Sequence, residues 1–246
     1  MKICLDAGHS GNNYNKGVSA GYVESREMWK YHLLLKAELE RYGVEVVTTR
    51  ETIDENPTLE QRGNRAKGCD LFISCHSNAY SYTDQNQADK TTRTCVYYSI
   101  PYAEQTKCVA ECVASALAEL FKEFDPNTYG KTYQKQYPNK PNVDYYGVIR
   151  GASNVGVGGL IVEHSFHTSR PYCEWAMKEG NLQRMAECEA GAIARCLGLV
   201  KKPEEPVLAP MYRVQLGAFR NKENAQNYLK EVQKTFPDAF IKTSVE

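Results

Sequence analysis

The first two hundred residues are predicted to form an α/β domain, with a mostly parallel or mixed twisted sheet and helices on both faces. Short apolar segments of strand length alternate with longer segments of helical periodicity, the pattern of a sheet layered between helices. A segment rich in proline and charge then separates a small strand–helix–strand appendage from this domain. Such a sheet presents functional groups at its strand ends and in the loops that follow them.

Five short apolar segments are predicted to be strands. The segment VEVVTT is the clearest by composition, because β-branched side chains favour strands. The segment DLFISC has the continuous apolar character of a buried strand. In chain order the predicted strands are residues 2–5, 44–49, 70–75, 94–99 and 160–162.

Four segments are predicted to be helices, at about 26–41, 58–67, 104–124 and 182–197. The third is the most periodic, because its apolar side chains recur at three- and four-residue steps along one face. The first is expected to end before Gly43, since glycine favours the left-handed conformation that closes a helix. Residues 125–144 are rich in Tyr, Asn, Lys and Pro and are expected to form a long surface loop.

The end of the chain is predicted to be a separate small module. Residues 201–210, KKPEEPVLAP, hold three prolines and four charged side chains and are expected to be a linker after a domain at 1–200. Residues 211–246 then predict a strand, a helix and a second strand. A segment of about 35 residues is below the size that usually folds without help.

The charge balance and hydropathy exclude some classes of partner. Thirty Lys and Arg residues balance thirty Asp and Glu residues, so the chain lacks the basic surface of a nucleic-acid-binding protein. No segment has the roughly 18 uninterrupted apolar residues that a membrane-spanning helix requires. No signal peptide is seen before the first strand, so we expect synthesis in the cytosol and release by lysis or another route, unless a leader has been removed.

The nine cysteines follow no spacing typical of a disulfide framework. Cys108 and Cys112 lie one helical turn apart, so they could bind a metal or form a cross-link. We favour small buried side chains as the role of the cysteines, since cysteine packs as a small hydrophobe. This usage indicates synthesis in a reducing compartment.

Three segments place metal-ligand residues next to predicted strands or helices. In LDAGHSG, glycines let the backbone turn sharply and present His9 at the sheet edge. In GYVE, Glu24 lies at the start of the first long helix, and in ISCHSN, His76 follows a buried strand. Each residue alone is more often structural, as a hydrogen-bonded histidine or a carboxylate that complements a helix dipole. Two imidazoles and one carboxylate together are a common ligand set of catalytic zinc, with the fourth position left to water.

A fourth segment, GGLIVEHSFH, places Glu163 at the end of an apolar strand. Burial there would raise the pKa of the carboxyl group into the range that a general base needs. The structural alternative is a salt bridge to a basic residue such as Arg150. His164 is expected to point to the opposite face of the strand from Glu163.

Together the segments LDAGHSG, GYVE, DLFISCHSNA and LIVEHSF occur in the order typical of zinc-dependent N-acetylmuramoyl-L-alanine amidases, which the chain resembles over residues 2–199. The resemblance implies that His9, Glu24 and His76 bind Zn²⁺ and that Glu163 is the general base and then the general acid. It also implies a peptidoglycan substrate and action at the bacterial cell wall, as an autolysin or endolysin. Another zinc cell-wall peptidase and a non-catalytic wall-binding module remain alternatives.

Three further residues are candidates for supporting roles around the site. Asp6 or Asn78 is expected to orient a metal ligand by hydrogen bonding. His167 is expected to contact substrate or stabilise the developing oxyanion.

The tail segment YRVQLGAFRNKENAQNYLKEV resembles the first half of the sporulation-related repeat domain, which binds glycan strands that lack stem peptides. Only one of the two strand–helix–strand halves of that domain is matched. A lone half leaves an apolar face and a strand edge open, so we expect two chains to pair through it as a homodimer. Docking on the catalytic domain and a shortened chain are the alternatives.

Overall fold

The computed structural model describes residues 1–10, 14–81, 83–202 and 216–243. The chain divides into two compact units, Met1–Lys202 and Pro203–Glu246, and the division lies inside the predicted linker. The first unit confirms the predicted α/β class, since it holds a six-stranded mixed sheet with helices on both faces.

The sheet has the strand order β2-β1-β3-β6-β4-β5. The adjacent strands β2, β1, β3 and β6 are parallel to one another. Strand β4 is antiparallel to β6, and β5 is parallel to β4. The strands are β1 (Lys2–Ala7), β2 (Glu45–Thr48), β3 (Leu71–Asn78), β4 (Thr94–Tyr98), β5 (Gly130–Tyr133) and β6 (Gly159–Phe166).

Seven helices belong to the described part of the first unit. They are α1 (Glu24–Arg41), α2 (Leu59–Asn64), α3 (Gln85–Ala88), α4 (Ala103–Phe121), α5 (Gly147–Asn154), α6 (Arg170–Ala176) and α7 (Asn181–Cys196). Helices α1, α4 and α7 pack around the larger apolar core on one face of the sheet, and α2 and α5 pack on the other face. The sequence did not predict α3, α5 or α6, which are too short for a clear apolar period.

Two strands differ from prediction in a way that affects the site. The expected long loop at 125–144 contains β5, whose sequence GKTY has no apolar run because an edge strand is buried only in part. Strand β6 extends to Phe166, so Glu163 lies within the strand and not at its end. It extends because β3 and β4 pair with it on both sides beyond the apolar core residues.

The cysteines also differ from prediction at one point. Cys108, expected to be buried, is exposed and forms a disulfide with Cys196 that joins α4 to α7. Chain spacing could not indicate this pair, because its members are 88 residues apart. Cys4, Cys69, Cys75, Cys95 and Cys173 are free and buried, as small hydrophobes are.

The second unit contains helix α8 (Lys222–Gln233). Asn221 caps its N-terminus, since the side chain of Asn221 accepts hydrogen bonds from Glu223 N and Asn224 N. Residues 216–221 and 234–243 hold no strand; the remainder of both predicted strands lies outside the described residues. A strand is stable only when it forms hydrogen bonds with a neighbouring strand, and the sequence pattern of this unit does not show which segment would be that neighbour. Across the described parts of both units, no helix combines the length and apolar character needed to cross a membrane.

Candidate metal centre

The predicted site residues meet at one edge of the sheet. Because β1, β3 and β6 are adjacent and parallel, their carboxyl ends lie together. His9 follows β1, His76 lies near the end of β3, and Glu163 lies beside His76 in the β3–β6 register. Glu24, the first residue of α1, extends its side chain to the same place.

The loop that carries His9 is held by buried cations. His9 has a φ of 56°, an uncommon backbone conformation for a residue with a side chain. The carbonyl oxygen of His9 accepts a hydrogen bond of 2.9 Å from Arg50, and that of Ala7 accepts one of 2.8 Å from Arg62. Both guanidinium groups are almost fully buried. Two charge-assisted donors therefore stabilise the turn that aims His9 at the site.

Asp6 acts on this loop through Arg62. One oxygen of the Asp6 carboxylate accepts from Arg62 at 2.9 Å and from Thr49 at 2.5 Å, and the other accepts from Ser74 at 2.6 Å. Asp6 is buried and contacts none of the three predicted ligands by hydrogen bond. Its carboxylate balances the charge of a buried arginine that holds the His9 loop.

Glu24 is the centre of the ligand cluster. Its side chain is fully buried, with one oxygen 3.0 Å from Nδ1 of His76 and the other 3.3 Å from Nε2 of His9. The amide of Ser77 donates to it at 2.8 Å, and the side chain of Asn15 donates to it at 2.8 Å. Although burial raises the pKa of Glu24, its hydrogen bonds to both histidines outweigh this effect and lower it well below its usual value.

The three donors form a set that fits a metal ion. One ligand atom from each of His9, Glu24 and His76 lies within 4.8 Å of the other two. The side chains of His9 and His76 keep 20% and 17% of their surface exposed, so the cluster opens to solvent. Burial lowers the pKa of His76, but its hydrogen bond to Glu24 and the nearby charge of Glu163 raise it to about 9 overall. A cation bound here would replace the proton that the imidazole holds.

Glu163 has a carboxylate with an unused acceptor. Its Oε2 atom is buried and has no hydrogen-bond partner among the described residues. Arg150, the example given for a structural partner, donates instead to the carbonyl oxygens of Asp144 and Tyr145, and Glu163 forms no salt bridge among the described residues. Burial raises the pKa of Glu163, and the positive charge of His76 lowers it by a smaller amount. The resulting pKa is about 7. A carboxyl group with this pKa can exchange protons near neutrality.

Two other candidates lie near the cluster in different ways. Nδ1 of His167 donates to the carbonyl oxygen of Ser77 at 3.0 Å and lies 3.6 Å from Glu24 Oε2. Burial lowers the pKa of His167, so the neutral imidazole is favoured. The side chain of Asn78, the last residue of β3, accepts a hydrogen bond from Ala79 N at 2.8 Å, which orders the end of that strand.

Three supporting residues were not predicted from the sequence. Asn15 donates to Glu24 and also lies 3.1 Å from Nε2 of His9. Arg50 directly follows the predicted strand at 44–49 and Arg62 lies in the predicted helix at 58–67, and neither arginine was assigned a role there. No local pattern marks an asparagine in a loop or a buried arginine as part of a site, because their partners come from distant segments.

His164 points away from Glu163 into the larger core, as predicted. Its Nε2 lies 2.8 Å from a carboxylate oxygen of Glu189, which also accepts from the hydroxyl of Tyr31 at 2.5 Å. Its Nδ1 donates to the carbonyl oxygen of His76 at 2.8 Å. All three side chains are fully buried. This network ties the backbone of a predicted ligand to helices α1 and α7.

A second group of possible donors lies away from this edge. Sulfur atoms of Cys108, Cys112 and Cys196 lie within 4.8 Å of one another. The disulfide between Cys108 and Cys196 uses two of the three.

Comparison with known proteins identifies the domain. The family model described as N-acetylmuramoyl-L-alanine amidase matches residues 3–195, which is most of the chain. The chain belongs to this family. The resemblance inferred from the sequence motifs is thereby confirmed, and residues 209–246 match the model of the SPOR domain.

Individual relatives of this amidase are distant in sequence. N-acetylmuramoyl-L-alanine amidase CwlM of Bacillus licheniformis is 25% identical over 249 residues, covering 98% of this chain and 84% of CwlM. Cwp6 from Clostridium difficile has a TM-score of 0.62 at 20% identity, over 80% of this chain but 29% of Cwp6. AmiC2 of Nostoc punctiforme has a TM-score of 0.60 at 20% identity, over 80% of this chain and 97% of AmiC2. At these identities the structures establish a shared fold.

Proposed function

We propose that this amidase hydrolyses the amide between N-acetylmuramic acid and the L-alanine of the stem peptide, with one Zn²⁺ as its cofactor. The observation that carries the proposal is the meeting of four side chains that are distant in sequence. His9, Glu24 and His76 converge as a donor set, and the unpartnered carboxylate of Glu163 lies on the adjacent strand. Family membership and the name of CwlM support the choice of bond.

Zinc suits this donor set better than harder cations do. Two imidazoles and one carboxylate are typical of catalytic zinc sites, whereas Mg²⁺ and Ca²⁺ prefer oxygen ligands. The partial exposure of both imidazoles leaves room on the solvent side for water and substrate. When bound, the ion supplies a Lewis acid that polarises the scissile carbonyl and acidifies water.

The residues of the chain supply positioning and proton transfer. Glu24 holds His76 by a hydrogen bond of 3.0 Å and lies beside His9, so both imidazoles are oriented before substrate arrives. Glu163 Oε2 is free to accept a proton from the attacking water. The same carboxyl group then donates that proton to the L-alanine amine as the amide bond breaks. Its pKa of about 7 suits both steps.

Digestion of purified sacculi tests the bond that is cleaved. We expect mass spectrometry to find intact stem peptides with a new L-alanine amine, and the activity to be lost on chelation and restored by Zn²⁺. Cleavage within the stem peptide would instead indicate a zinc peptidase. Release by the Glu163→Gln variant at the wild-type rate would contradict the role of Glu163, and wall binding without release by the wild type would indicate a binding module.

We propose that the second unit helps to hold the enzyme on peptidoglycan at the bacterial cell wall. The match of residues 209–246 to the SPOR domain supports this role. Co-sedimentation with sacculi should fall when the full chain is replaced by one that ends at Lys202. Light scattering of the same two proteins tests the predicted homodimer, and identical monomeric masses would contradict it.

A further inference from the structure

The sheet continues for two strands beyond Glu163 and forms a shelf on the same face. In register, Cys95 pairs with Glu163 on one side and with Lys131 on the other. Laterally paired residues project to the same face, so the three side chains form one row across β6, β4 and β5. Strand spacing places the Cα atom of Lys131 about 10 Å from that of Glu163. We name the surface formed by Arg93, Cys95, Tyr97, Lys131 and Tyr133 the β4–β5 shelf.

The cationic end of the shelf lies at the same edge of the sheet as the metal centre. Strand β4 is antiparallel to β6, so the start of β4 lies beside the end of β6. Arg93 directly precedes β4, and its guanidinium group lies 5.1 Å from the ring centroid of Phe166, the last residue of β6. Lys131 is the second residue of β5, which runs parallel to β4. Arg93 and Lys131 therefore lie on the strand ends that are nearest the edge where His76 and Glu163 meet.

Neither cation is paired with a carboxylate of the described residues, and the neutral side chains of Cys95 and Tyr133 lie within hydrogen-bond reach of Arg93. Among the described residues, no carboxylate lies within ion-pair distance of Arg93 or Lys131. The Nε atom of Arg93 is buried without a hydrogen-bond partner. A buried guanidinium donor without an acceptor is costly, and a planar carboxylate is the group that satisfies it best. The shelf is therefore suited to an anionic group of a ligand.

Aromatic rings make this shelf flat and rigid. Tyr97 stacks on Tyr133 with ring centroids 5.2 Å apart and an interplanar angle of 26°. Tyr97 also contacts Tyr146, at 4.8 Å between centroids. The Nζ atom of Lys131 lies 5.2 Å from the ring centroid of Tyr133. All three tyrosines are half-buried, so they order the shelf and leave part of each ring to a ligand.

We propose that the β4–β5 shelf binds the stem peptide, with Arg93 and Lys131 holding the free α-carboxylate of its second residue, a γ-linked D-glutamate. This inference rests on the proposed function. The glycan carries no free carboxylate once its lactyl group is amide-linked, so an anion-binding surface points to the peptide side. That α-carboxylate lies within about 7 Å of the scissile amide, two residue lengths of extended chain. This separation fits the β4–β5 shelf, because the shelf begins beside Glu163 and its arginine and lysine side chains are long.

The test uses two matched disaccharide tripeptides that differ only at this group. One carries the α-carboxylate and the other carries the neutral α-carboxamide. For the wild-type holoenzyme we expect kcat/KM to be about tenfold or more higher for the carboxylate, since a charged hydrogen bond is lost in the amide. Arg93→Gln should lower kcat/KM for the carboxylate substrate to the level of the amide and leave the amide almost unchanged.

Two further variants complete the design. Lys131→Met, at an exposed position, should reduce the preference for the carboxylate substrate by a smaller factor than Arg93→Gln does. If Arg93→Gln fails to fold, the Lys131→Met variant alone tests the proposal. Arg195→Gln on the exposed face of α7 is the matched control and should keep the full preference.

The outcomes separate this inference from the proposed function. Equal cleavage of both substrates by the wild type, or a preference that survives both shelf variants, would overturn the inference and leave the amidase intact. Absence of cleavage of either substrate would overturn the proposed function and the inference together.

Discussion

The imidazole of His76 packs directly over the backbone of Gly8. A β-carbon at residue 8 would lie 2.4 Å from Cε1 and 2.6 Å from both ring nitrogens of His76. Glu24 holds that ring by a hydrogen bond of 3.0 Å, so the ring cannot move aside without losing its partner. Glycine is therefore required at residue 8 by the close approach of a predicted metal ligand.

Gly8→Ala should weaken zinc binding at least about tenfold, because the added methyl group displaces His76 from its place beside Glu24. Competition with a chromophoric chelator measures the affinity. Gly191→Ala in α7 is the control, since its nearest neighbour would be Tyr42 Oη at 3.7 Å, an ordinary contact. Unchanged zinc affinity in Gly8→Ala would contradict the steric argument.

The stability of the metal-free protein should fall as the pH rises through the range between the two pKa values of Glu163. The ordinary pKa of a glutamate side chain is 4.5, and burial in the fold raises that of Glu163 to about 7. Between these values the folded chain keeps a proton that the unfolded chain has released, so rising pH favours unfolding. Above about pH 7 the protein has lost the whole contribution that the raised pKa of Glu163 makes to its free energy of unfolding.

Urea unfolding of wild type and Glu163→Gln from about pH 5 to about pH 8 measures this effect. The variant should gain stability relative to wild type as the pH rises, because glutamine does not titrate. Glu104→Gln, at an exposed position on α4, serves as the control. A constant difference between wild type and Glu163→Gln across this range would contradict the raised pKa.

Removing His164 should destabilise the protein and weaken the metal centre together. His164→Ala leaves buried Glu189 without its imidazole partner and removes the donor to the carbonyl oxygen of His76. We expect a loss of about 3 kcal/mol in unfolding free energy, typical of a broken buried polar network. Tyr31→Phe removes one hydroxyl and should cost about 1 kcal/mol. Zinc affinity that stays unchanged in His164→Ala would show that this network serves stability alone.

Zinc binding should release protons at neutral pH. The pKa of His76 is about 9, so its imidazole is protonated before the metal enters. Titration calorimetry in buffers of different ionisation enthalpy should show the release of about one proton near pH 7, and the affinity should rise with pH up to about 9. His9→Ala keeps His76 and Glu24 and should still release that proton, with weaker binding. Heats that do not depend on the buffer would contradict this prediction.

Local patterns in the sequence were sufficient for the main elements of the fold. In the first unit, the five predicted strands and four predicted helices are present, since apolar period and glycine placement act over a few residues. Strand β5 and helices α3, α5 and α6 were missed because their stability depends on packing against distant elements. The disulfide of Cys108 with Cys196 was missed for the same reason.

The sequence by itself determined the residue types of the candidate site: two histidines, a glutamate at a helix start and a glutamate in an apolar strand. Only the tertiary structure decided how they meet. It placed Glu163 beside His76 through strand register and left its Oε2 atom without a partner among the described residues. It also put Arg50 and Arg62 behind the His9 loop. Register and hydrogen bonding between distant segments depend on how the whole sheet assembles, and no short stretch of sequence contains that information.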